Sequence, residues 1–412
     1  MRILFLAQRV PYPPNRGDKI TTWRLIERMA RKHEVRVIAF AHDGADRDAA
    51  RHLSSIGIQT TAVDHAATAA RLRSLPLLLT GQPLTLGVYG SKALQRAVDR
   101  EAGWADVAYA YSSSMGAFLE PHGRLARVMH FAELDSDKWR QYAQRSSAPM
   151  SWVYGREQRT LLAFESRVAR SFSENVFCTP LEQRVFQEQI PGASSIVLRN
   201  GVDLKYYGPQ PELARARHMV FTGVMNYLPN VDGCEFFARE VLPLLYGRYP
   251  DLRFTIVGSN PTPAVHALAK LPGVAVTGFV DDTRPWLAQA AISVAPLRIA
   301  RGIQNKVLEA MAMARPVVAA PGAFEGIEAT PGSELLVAAG AVPFAEAVGT
   351  VLDGGLPDMG RLARERVLVR YSWRTCGNRI ARLLRGMRLL QGQESASDAG
   401  GLARERSGGS AP

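Results

Sequence analysis

Short apolar runs alternate with amphipathic stretches along most of the chain, and each repeat of this alternation predicts a strand followed by a helix. Residues 1–7 read as a buried strand, residues 21–32 as a helix and residues 35–40 as the next strand. This order favours a parallel sheet with right-handed crossovers. The alternation starts again at residues 218–222. We therefore expect an α/β protein with two open sheets and a cleft between their edges.

The chain of 412 residues is too long for one ordinary core, so two domains are expected. We place the N-terminal domain at residues 1–199 and the C-terminal domain at residues 200–372. A terminal helix at 373–390 is expected to pack back towards the N-terminal domain, and the Gly/Ser/Ala-rich tail at 391–412 to be disordered. The polar, proline-rich segment 205–212 is expected to link the two domains.

Composition limits the setting of the protein. A hydrophobic content of 47% and a charged content of 21% fit a globular protein, and the longest apolar runs are too short to span a membrane. The first residues predict a buried strand and not a signal peptide. Three isolated cysteines make disulfides and structural zinc unexpected, so a reducing cytoplasm fits. The net charge of +12 favours anionic partners, although a generally basic surface would explain it equally well.

One stretch carries candidate chemistry in the second half. Gly302 follows a strand and a basic loop and precedes a helix of good helix-forming residues, with Lys306 in its first turn and Glu309 about one turn later. Unpaired backbone N–H groups at Gly302, Ile303 and Gln304 would bind an anion. A phosphate on this loop and hydroxyl groups on the carboxylate together suggest a sugar nucleotide.

Candidate residues in the first half lie after predicted strands, where open α/β sheets bind ligands. Gly17 precedes a helix and either allows close backbone approach or simply makes a turn. His130 ends a strand, where it would orient a hydroxyl, carry a proton or serve the core. Asp135 and Asp137 are either bases for an acceptor hydroxyl or N-caps of a helix beginning near Lys138.

Two basic stretches of the first half leave their role open. Residues 67–79 mix Arg71 and Arg73 with leucines, and residues 91–100 read as a basic amphipathic helix. Each is either a patch for a membrane surface or an ordinary solvated helix face.

The motifs also carry a family resemblance. They occur in this order: Asn200-Gly201-Val202-Asp203, Phe221-Thr222-Gly223-Val224-Met225-Asn226, Ile256-Val257-Gly258, Gly278-Phe279-Val280 and Lys306-Val307-Leu308-Glu309-Ala310-Met311-Ala312. Together they resemble the retaining GT-B glycosyltransferases of family 4, the glycosyl transferases group 1, over residues 1–388. The segments 8–19 and 135–139 resemble the sugar transferases associated with PEP-CTERM/exosortase exopolysaccharide clusters.

The resemblance implies a GT-B fold, two Rossmann-like domains facing across a central cleft. It implies that Glu309 takes the ribose hydroxyls of the donor and that the loop at Gly302, Ile303 and Gln304 contacts its phosphate or sugar. Further donor contacts would come from Gly17 of the first domain and from the second domain's Gly223, Asn226, Gly278, Phe279 and Val280. His130 would lie near the reacting sugar.

The sequence departs from the family at one position. Many members carry a glutamate eight positions before the residue matching Glu309, and here that position is Arg301. The usual carboxylate on the sugar ring is missing. Arg298, Arg301 and Lys306 would instead neutralise the leaving diphosphate, although the two arginines are equally read as exposed loop charge.

The expected reaction is retaining transfer of a sugar from a nucleotide-sugar to a hydroxyl of a lipid-linked or polysaccharide acceptor. The departing phosphate takes the acceptor's proton, so no enzyme nucleophile, cofactor or metal is expected. Asp135-Ser136-Asp137 is the main challenge to a metal-free interpretation. The basic first domain and terminal helix are expected to rest on the anionic inner face of the plasma membrane, which makes the protein cytoplasmic and peripheral.

Other protein classes fit less well. A nicotinamide oxidoreductase lacks G-x-G-x-x-G after the first strand, and a P-loop nucleotidase lacks its phosphate motif. Basic residues are dispersed without an aromatic-basic pattern, so no nucleic-acid partner is expected. The remaining alternative is a non-catalytic GT-B-like scaffold of a polysaccharide assembly complex, because Arg301 breaks one motif.

Overall fold

The structure, a computed structural model, describes residues 1–299 and 302–388. Within that part the chain divides into two compact units. The first contains Met1–Leu198 together with the chain from Gly377 onward, and the second contains Arg199–Cys376.

A parallel sheet of seven strands forms the centre of the first unit, in the order β3-β2-β1-β4-β5-β6-β7. Its strands are β1 Arg2–Ala7, β2 Glu34–Ala41, β3 Gln59–Asp64, β4 Val107–Tyr111, β5 Ala126–Ala132, β6 Glu174–Phe177 and β7 Ser195–Val197. Residues Ile3 to Leu6 of β1 are fully buried because helices cover both faces of the sheet. The strand order reverses direction between β1 and β4, which creates a ligand-binding edge at the carboxyl ends.

The helices of the first unit follow the expected alternation. They are α1 Gly17–Ala30, α2 Gly44–Ser55, α3 Ala67–Ser74, α4 Leu84–Tyr89, α5 Lys92–Ala102, α6 Ser113–Gly116, α7 Asp135–Arg145, α8 Met150–Ser171 and α9 Pro180–Gln189, with 3₁₀ turns at Leu75–Leu79 and Ala117–Leu119. The first helix begins at Gly17, four residues before the predicted start at residue 21. A further helix covers residues 373–388; Arg379 donates to the Val197 carbonyl at 3.2 Å, which ties it to the end of β7.

A second parallel sheet, of six strands in the order β10-β9-β8-β11-β12-β13, forms the centre of the second unit. Its strands are β8 His218–Thr222, β9 Arg253–Val257, β10 Val274–Val276, β11 Ile292–Ala295, β12 Val317–Ala319 and β13 Leu336–Val337. Its helices are α10 Leu228–Phe236, α11 Leu242–Tyr246, α12 Pro263–Leu268, α13 Arg284–Gln289, α14 Asn305–Ala312, α15 Pro321–Phe324, α16 Ala341–Leu352 and α17 Met359–Arg370. A π-helical turn at Phe237–Val241 joins α10 to α11, and a 3₁₀ turn covers Pro211–Leu213.

The segment predicted to link the domains, residues 205–212, belongs to the second unit. The carbonyl of Tyr207 accepts a hydrogen bond from Arg364 at 3.2 Å, and that of Gln210 accepts one from Arg315 at 3.4 Å. Proline and polar side chains resemble a linker in the sequence, but these carbonyls are anchored by arginines that lie far along the chain.

No helix in the two described ranges is long and apolar enough to cross a membrane. The tail predicted to be disordered, residues 391–412, lies outside those ranges, as do the last residues of the predicted terminal helix.

Candidate functional site

The candidate site of the second unit lies at the carboxyl edge of its sheet. Strand β8 ends at Thr222 and runs into the Gly223 loop, while β11 leads to the Gly302 loop before α14. These two strands are neighbours, and the strand order reverses between them. The fold therefore brings both loops to the place where doubly wound sheets bind ligands.

Lys306 lies between these loops. Its ammonium group donates to the Oδ1 of Asn230 at 2.5 Å and lies 4.3 Å above the centre of the Phe221 ring. Asn230 is itself fixed, because its Nδ2 donates to the carbonyl of Val224 at 2.9 Å. Burial lowers the pKa of Lys306 to about 8, and the negative charge of Glu309 opposes this shift. A partly desolvated cation is thus held in one place beside the Gly223 loop.

Gly223 leaves the space that Lys306 uses. A Cβ atom at this position would come within 3.2 Å of the Lys306 ammonium and 2.7 Å of the Asn230 amide nitrogen. The loop is also pressed against the next strand, because a Cβ at Gly258 would lie 1.6 Å from the Gly223 carbonyl oxygen. Gly258 adopts a φ of +149°, which side-chain-bearing residues rarely adopt. Both glycines are therefore required by the close approach of these two loops.

Glu309 lies one turn after Lys306 on α14 and is mostly buried. Burial raises the pKa of Glu309 to about 7, while a hydrogen bond from Tyr207 and the charge of Lys306 lower it. The Tyr207 hydroxyl, whose pKa burial raises, interacts with both Glu309 and Thr283. The carboxylate is therefore oriented by a residue of the segment that was expected to be a linker.

The Gly302 loop has the geometry expected for close backbone approach. Gly302 has a φ of +66°, and α14 begins at Asn305 with Gln304 in the N-cap position. A Cβ at Gly326 would lie 2.4 Å from the Gly302 carbonyl oxygen and 3.0 Å from the Ile303 nitrogen, so Gly326 allows the loop to pack here. Arg301, the residue that departs from the family motif, lies outside the described residues.

Other predicted donor contacts differ in accessibility. Phe279 is 73% exposed, while Gly278 and Val280 beside it are half-buried. The Gly278 carbonyl accepts from the Gly258 nitrogen at 3.2 Å, which links this turn to the site. Asn226 is exposed, and the asparagine that contacts Lys306 is Asn230.

Arg298 forms an ion pair within the second unit. Its guanidinium contacts the Asp232 carboxylate at 2.5 and 3.1 Å and lies 4.8 Å from the centre of the Phe236 ring. Asp232 raises the pKa of Arg298 further. Its role in binding a diphosphate stays a prediction, and such a role would compete with this pair.

In the first unit, His130 is fully buried within strand β5. Its Nδ1 lies 2.8 Å from the Tyr109 hydroxyl and its Nε2 lies 3.5 Å from the Cys178 sulfur. Burial lowers the pKa of His130 to about 3, so the ring is neutral at physiological pH. Its role near a reacting sugar stays a prediction, because in this arrangement both nitrogens face core side chains.

Asp135 and Asp137 lie in the first turn of α7, which begins at Asp135 and has Leu134 at its N-cap position. The alternative that they are N-caps of a helix beginning near Lys138 is therefore wrong. The capping role belongs to buried Glu165, which accepts from the backbone nitrogens of Asp135 at 3.0 Å and Ser136 at 3.4 Å. An acidic residue at a helix N-terminus is favoured by the helix dipole.

Asp135 and Asp137 differ in accessibility. Asp135 is half-buried and accepts from the Ser113 hydroxyl at 2.6 Å. Asp137 is 1% exposed and accepts from Arg140 at 2.7 Å, Gln141 at 3.0 Å and Gln189 at 3.3 Å. Of the two, only Asp135 leaves room for an acceptor without rearrangement.

Gly17 occupies the first position of α1, after Arg16 in extended conformation. Two residues further on, the buried Lys19 pairs with Asp46 at 2.8 Å. Asp46 also accepts from the His42 backbone nitrogen at 2.9 Å, so this pair joins α1 to the start of α2. Within the described residues, no group of three His, Cys, Asp or Glu side chains is placed to hold a metal ion.

Comparisons with known proteins agree with this geometry. Residues 216–354 match the family model described as glycosyl transferases group 1. A phosphatidyl-myo-inositol mannosyltransferase from Propionibacterium freudenreichii is 32% identical over 134 residues, which cover 31% of this chain and 33% of that protein. The match thus spans about a third of the length of that curated relative.

Two solved structures extend the likeness across the chain. Sucrose-phosphate synthase from Thermosynechococcus elongatus aligns with a TM-score of 0.71 at 15% identity, covering 95% of this chain and 100% of that one. Anabaena HepE in complex with UDP-glucose aligns with a TM-score of 0.65 at 18% identity, covering 94% of this chain and 100% of that one. The expectation of two parallel α/β sheets in a GT-B fold is therefore confirmed.

Proposed function

We propose that this protein is a retaining glycosyltransferase that moves a sugar from a nucleotide-sugar to a hydroxyl group of a lipid-linked or polysaccharide acceptor. The observation that carries the proposal is that Lys306 and Glu309 lie one turn apart on α14, with Lys306 beside the Gly223 loop, within the residues that match the group 1 family model. The pair supplies a fixed cation for phosphate and a carboxylate for hydroxyl groups. A nucleoside diphosphate sugar contains both kinds of group.

Each residue of the site has a distinct task in this proposal. Glu309, oriented by Tyr207, accepts hydrogen bonds from the ribose hydroxyls. Backbone N–H groups at Gly302, Ile303 and Gln304 donate to the diphosphate. Lys306, held by Asn230, stabilises the charge that grows on the diphosphate as the bond to the sugar breaks.

The proposed reaction balances without an enzyme nucleophile. The acceptor oxygen forms a bond to the anomeric carbon on the face from which the nucleoside diphosphate departs. The bond between that carbon and the diphosphate oxygen breaks, and the departing phosphate takes the proton of the acceptor hydroxyl. The anomeric configuration is retained, and we propose that no metal ion is required.

The proposed acceptor and cellular setting rest on the curated relative and on two sequence segments. The curated relative is named for mannosyl transfer to a phosphatidyl-inositol, a lipid-linked acceptor. The segments 8–19 and 135–139 resemble transferases of PEP-CTERM exopolysaccharide clusters. We propose an exopolysaccharide acceptor bound by the first unit, on the cytoplasmic face of the plasma membrane.

A two-stage experiment tests this function. UDP-, GDP-, ADP- and TDP-sugars are screened for thermal stabilisation of the full chain, since a ligand at 100 times its Kd adds about 2.7 kcal/mol to the free energy of unfolding. Each binder is then incubated with lipid extracts, and sugar incorporation and product anomer are measured by mass spectrometry and NMR.

Three outcomes separate the alternatives. Transfer with retained configuration supports the proposal, and an inverted product contradicts the proposed mechanism. Stabilisation by a nucleotide-sugar without transfer or donor hydrolysis favours a non-catalytic scaffold, the alternative raised by Arg301.

A further inference from the structure

A cluster of apolar side chains on the first unit is left in solvent. Leu72 on α3 is 64% exposed, and Leu75 and Leu79 of the following 3₁₀ turn are 52% and 92% exposed. Single exposed leucines are ordinary, but here three lie within eight residues. Leu77 of the same turn points inward: a Cβ added at Gly87 would come 2.4 Å from its Cδ1. One side of the turn is thus packed against the protein, and the other side is exposed to solvent.

This turn is held firmly in place. Buried Arg156 of α8 donates to the carbonyls of Leu78 at 3.1 Å, Gln82 at 2.9 Å, and also of Leu77 and Thr80. Its neighbour Glu157 accepts from the backbone nitrogens of Leu84 at 2.7 Å and Thr85 at 2.8 Å. A guanidinium that satisfies four carbonyls fixes the backbone, so the leucines are presented by a rigid support.

A tryptophan extends the patch. Trp152 is 60% exposed and lies one helical turn before Arg156, on the same side of α8. Because Arg156 reaches the carbonyls of the 3₁₀ turn, Trp152 lies on the side of α8 that faces this turn. Tryptophan is the side chain that is most typical of the boundary between lipid and water. We call Leu72, Leu75, Leu79 and Trp152 the leucine face.

The segment that carries the three leucines has charges of one sign. Arg71 and Arg73 alternate with Leu72 and are both exposed. From His65 to Val98 the sequence contains Arg71, Arg73, Lys92 and Arg96 and no aspartate or glutamate. Apolar side chains between arginines suit the surface of an anionic lipid bilayer. The apolar side chains can reach the acyl chains, while the long arginine side chains keep their charges among the headgroups.

We propose that the first unit binds an anionic lipid bilayer through the leucine face, with Arg71 and Arg73 among the headgroups. The leucines and Trp152 enter the boundary region between headgroups and acyl chains. A bilayer is favoured over a protein partner because the charge complementarity extends over the whole acid-free segment, while the apolar part is small. The inference rests on no step of the proposed reaction, because vesicle binding is measured without a donor.

Vesicle flotation of the full chain tests the proposal. Phosphatidylglycerol/phosphatidylcholine vesicles are compared with pure phosphatidylcholine, and wild type is expected to float only with the anionic ones at moderate salt. Leu72→Ser/Leu79→Ser should lower the partition coefficient at least tenfold. Arg71→Gln/Arg73→Gln should lower it about 30-fold, because each basic residue near an anionic surface raises the partition coefficient about fivefold.

Matched controls isolate the surface. Val342→Ser/Val369→Ser changes two exposed apolar residues of the second unit, and Arg382→Gln/Arg385→Gln removes the same charge from the terminal helix. Both double variants should bind vesicles within about threefold of wild type. Binding of Trp152 at the boundary should give a blue shift of fluorescence that Trp152→Phe removes.

The remaining outcomes overturn the proposal. These are equal flotation with neutral and anionic vesicles, a greater loss in the terminal-helix variant than in Arg71→Gln/Arg73→Gln, or wild-type binding by the leucine variants. A wild-type dimer in solution that Leu72→Ser/Leu79→Ser converts to monomers would identify a second copy as the occupant. Retained vesicle binding in a chain that transfers no sugar would count against the proposed function alone.

Discussion

The carboxyl edges of the two sheets each hold a nitrogen base and a carboxyl group, but the surroundings of these groups differ. In the second unit, Lys306 and Glu309 are partly open, and burial moves the pKa values of both towards neutrality, to about 8 and about 7. In the first unit, His130 and Asp137 are enclosed. Both ring nitrogens of His130 face core side chains, and the Asp137 carboxylate accepts hydrogen bonds from polar side chains of α7 and α9. A polar residue at the end of a parallel strand becomes available for chemistry only where the following loop leaves its charged end uncovered.

The loops explain this difference. Gly223, Gly258 and Gly326 let neighbouring loops approach closely in the second unit, and the missing side chain at Gly223 leaves the space that Lys306 occupies. After β5, by contrast, the chain enters α7 within three residues, and Glu165 of α8 caps that helix. At the edge of the first sheet, the polar groups stabilise the fold. At the edge of the second sheet, burial shifts the pKa values of Lys306 and Glu309. Perturbed pairs of this kind cluster at functional sites.

Substitution of Lys306 should have the largest effect and gives the strongest test of this comparison. Lys306→Met keeps the length and apolar stem of the side chain and removes its charge, so kcat for sugar transfer should fall about 100- to 1000-fold. The reason is the loss of a fixed positive charge beside the diphosphate as its negative charge develops. Steady-state kinetics measures this, and Lys270→Met, at an exposed lysine of the same unit, is the matched control. Equal activity of the two variants would make Lys306 a structural residue like His130.

Glu309→Gln should raise the donor KM about 10- to 100-fold, the effect of losing hydrogen bonds to a charged group. The same change should alter stability in a pH-dependent way. Because the folded pKa of about 7 exceeds the ordinary value of 4.5, the stability contributed by protonated Glu309 is present below pH 4.5 and is lost as pH rises to about 7. Glu309→Gln should therefore gain stability relative to wild type as pH rises between these values, up to about 3 kcal/mol.

Thermal unfolding of wild type and Glu309→Gln from pH 4.5 to 8 tests whether the variant gains stability while it loses affinity for the donor. Tyr207→Phe serves as the companion variant: it removes the hydrogen bond that lowers the pKa of Glu309, so the acid limb of the activity profile should move to higher pH. A Tm difference between Glu309→Gln and wild type that does not change with pH would mean that the carboxylate is not desolvated.

His130→Phe should affect stability and leave kinetics nearly unchanged. It removes the ring nitrogens that contact Tyr109 and Cys178, at a cost of about 1–3 kcal/mol. Since burial lowers the pKa of His130 to about 3, stability is present above pH 6.5 and is lost as pH falls towards 3. The variant should lose part of this acid sensitivity. A large fall in kcat with an unchanged Tm would instead place the ring against substrate.

The hydrophobic pattern predicted the alternating strands and helices because buried parallel strands and amphipathic helices have distinct periods. It also predicted the stretch around α14, since a glycine loop, a lysine and a carboxylate follow one another in sequence there. Tyr207 and Asn230 were missed because they reach Lys306 and Glu309 from distant segments. The close approaches at Gly258, which was quoted only as part of a motif, and at Gly326 were missed for the same reason, since only the folded chain shows which backbone each one meets.

Substitution of Arg298 has the smallest expected effect, and it tests whether this arginine binds diphosphate or only stabilises its loop. The arginine is about half exposed and paired with Asp232 at 2.5 Å, so Arg298→Gln should change the free energy of unfolding by less than about 1 kcal/mol. Because Asp232 already satisfies the guanidinium, the donor KM should change by less than about threefold. Asp232→Asn decides between the two roles, since it weakens the ion pair without removing the arginine. If Arg298 binds diphosphate, Asp232→Asn should lower the donor KM, and Arg298→Gln should raise it. If Arg298 only stabilises the loop before α14, neither variant should move the donor KM, and the diphosphate charge is left to Lys306 among the described cations of this edge.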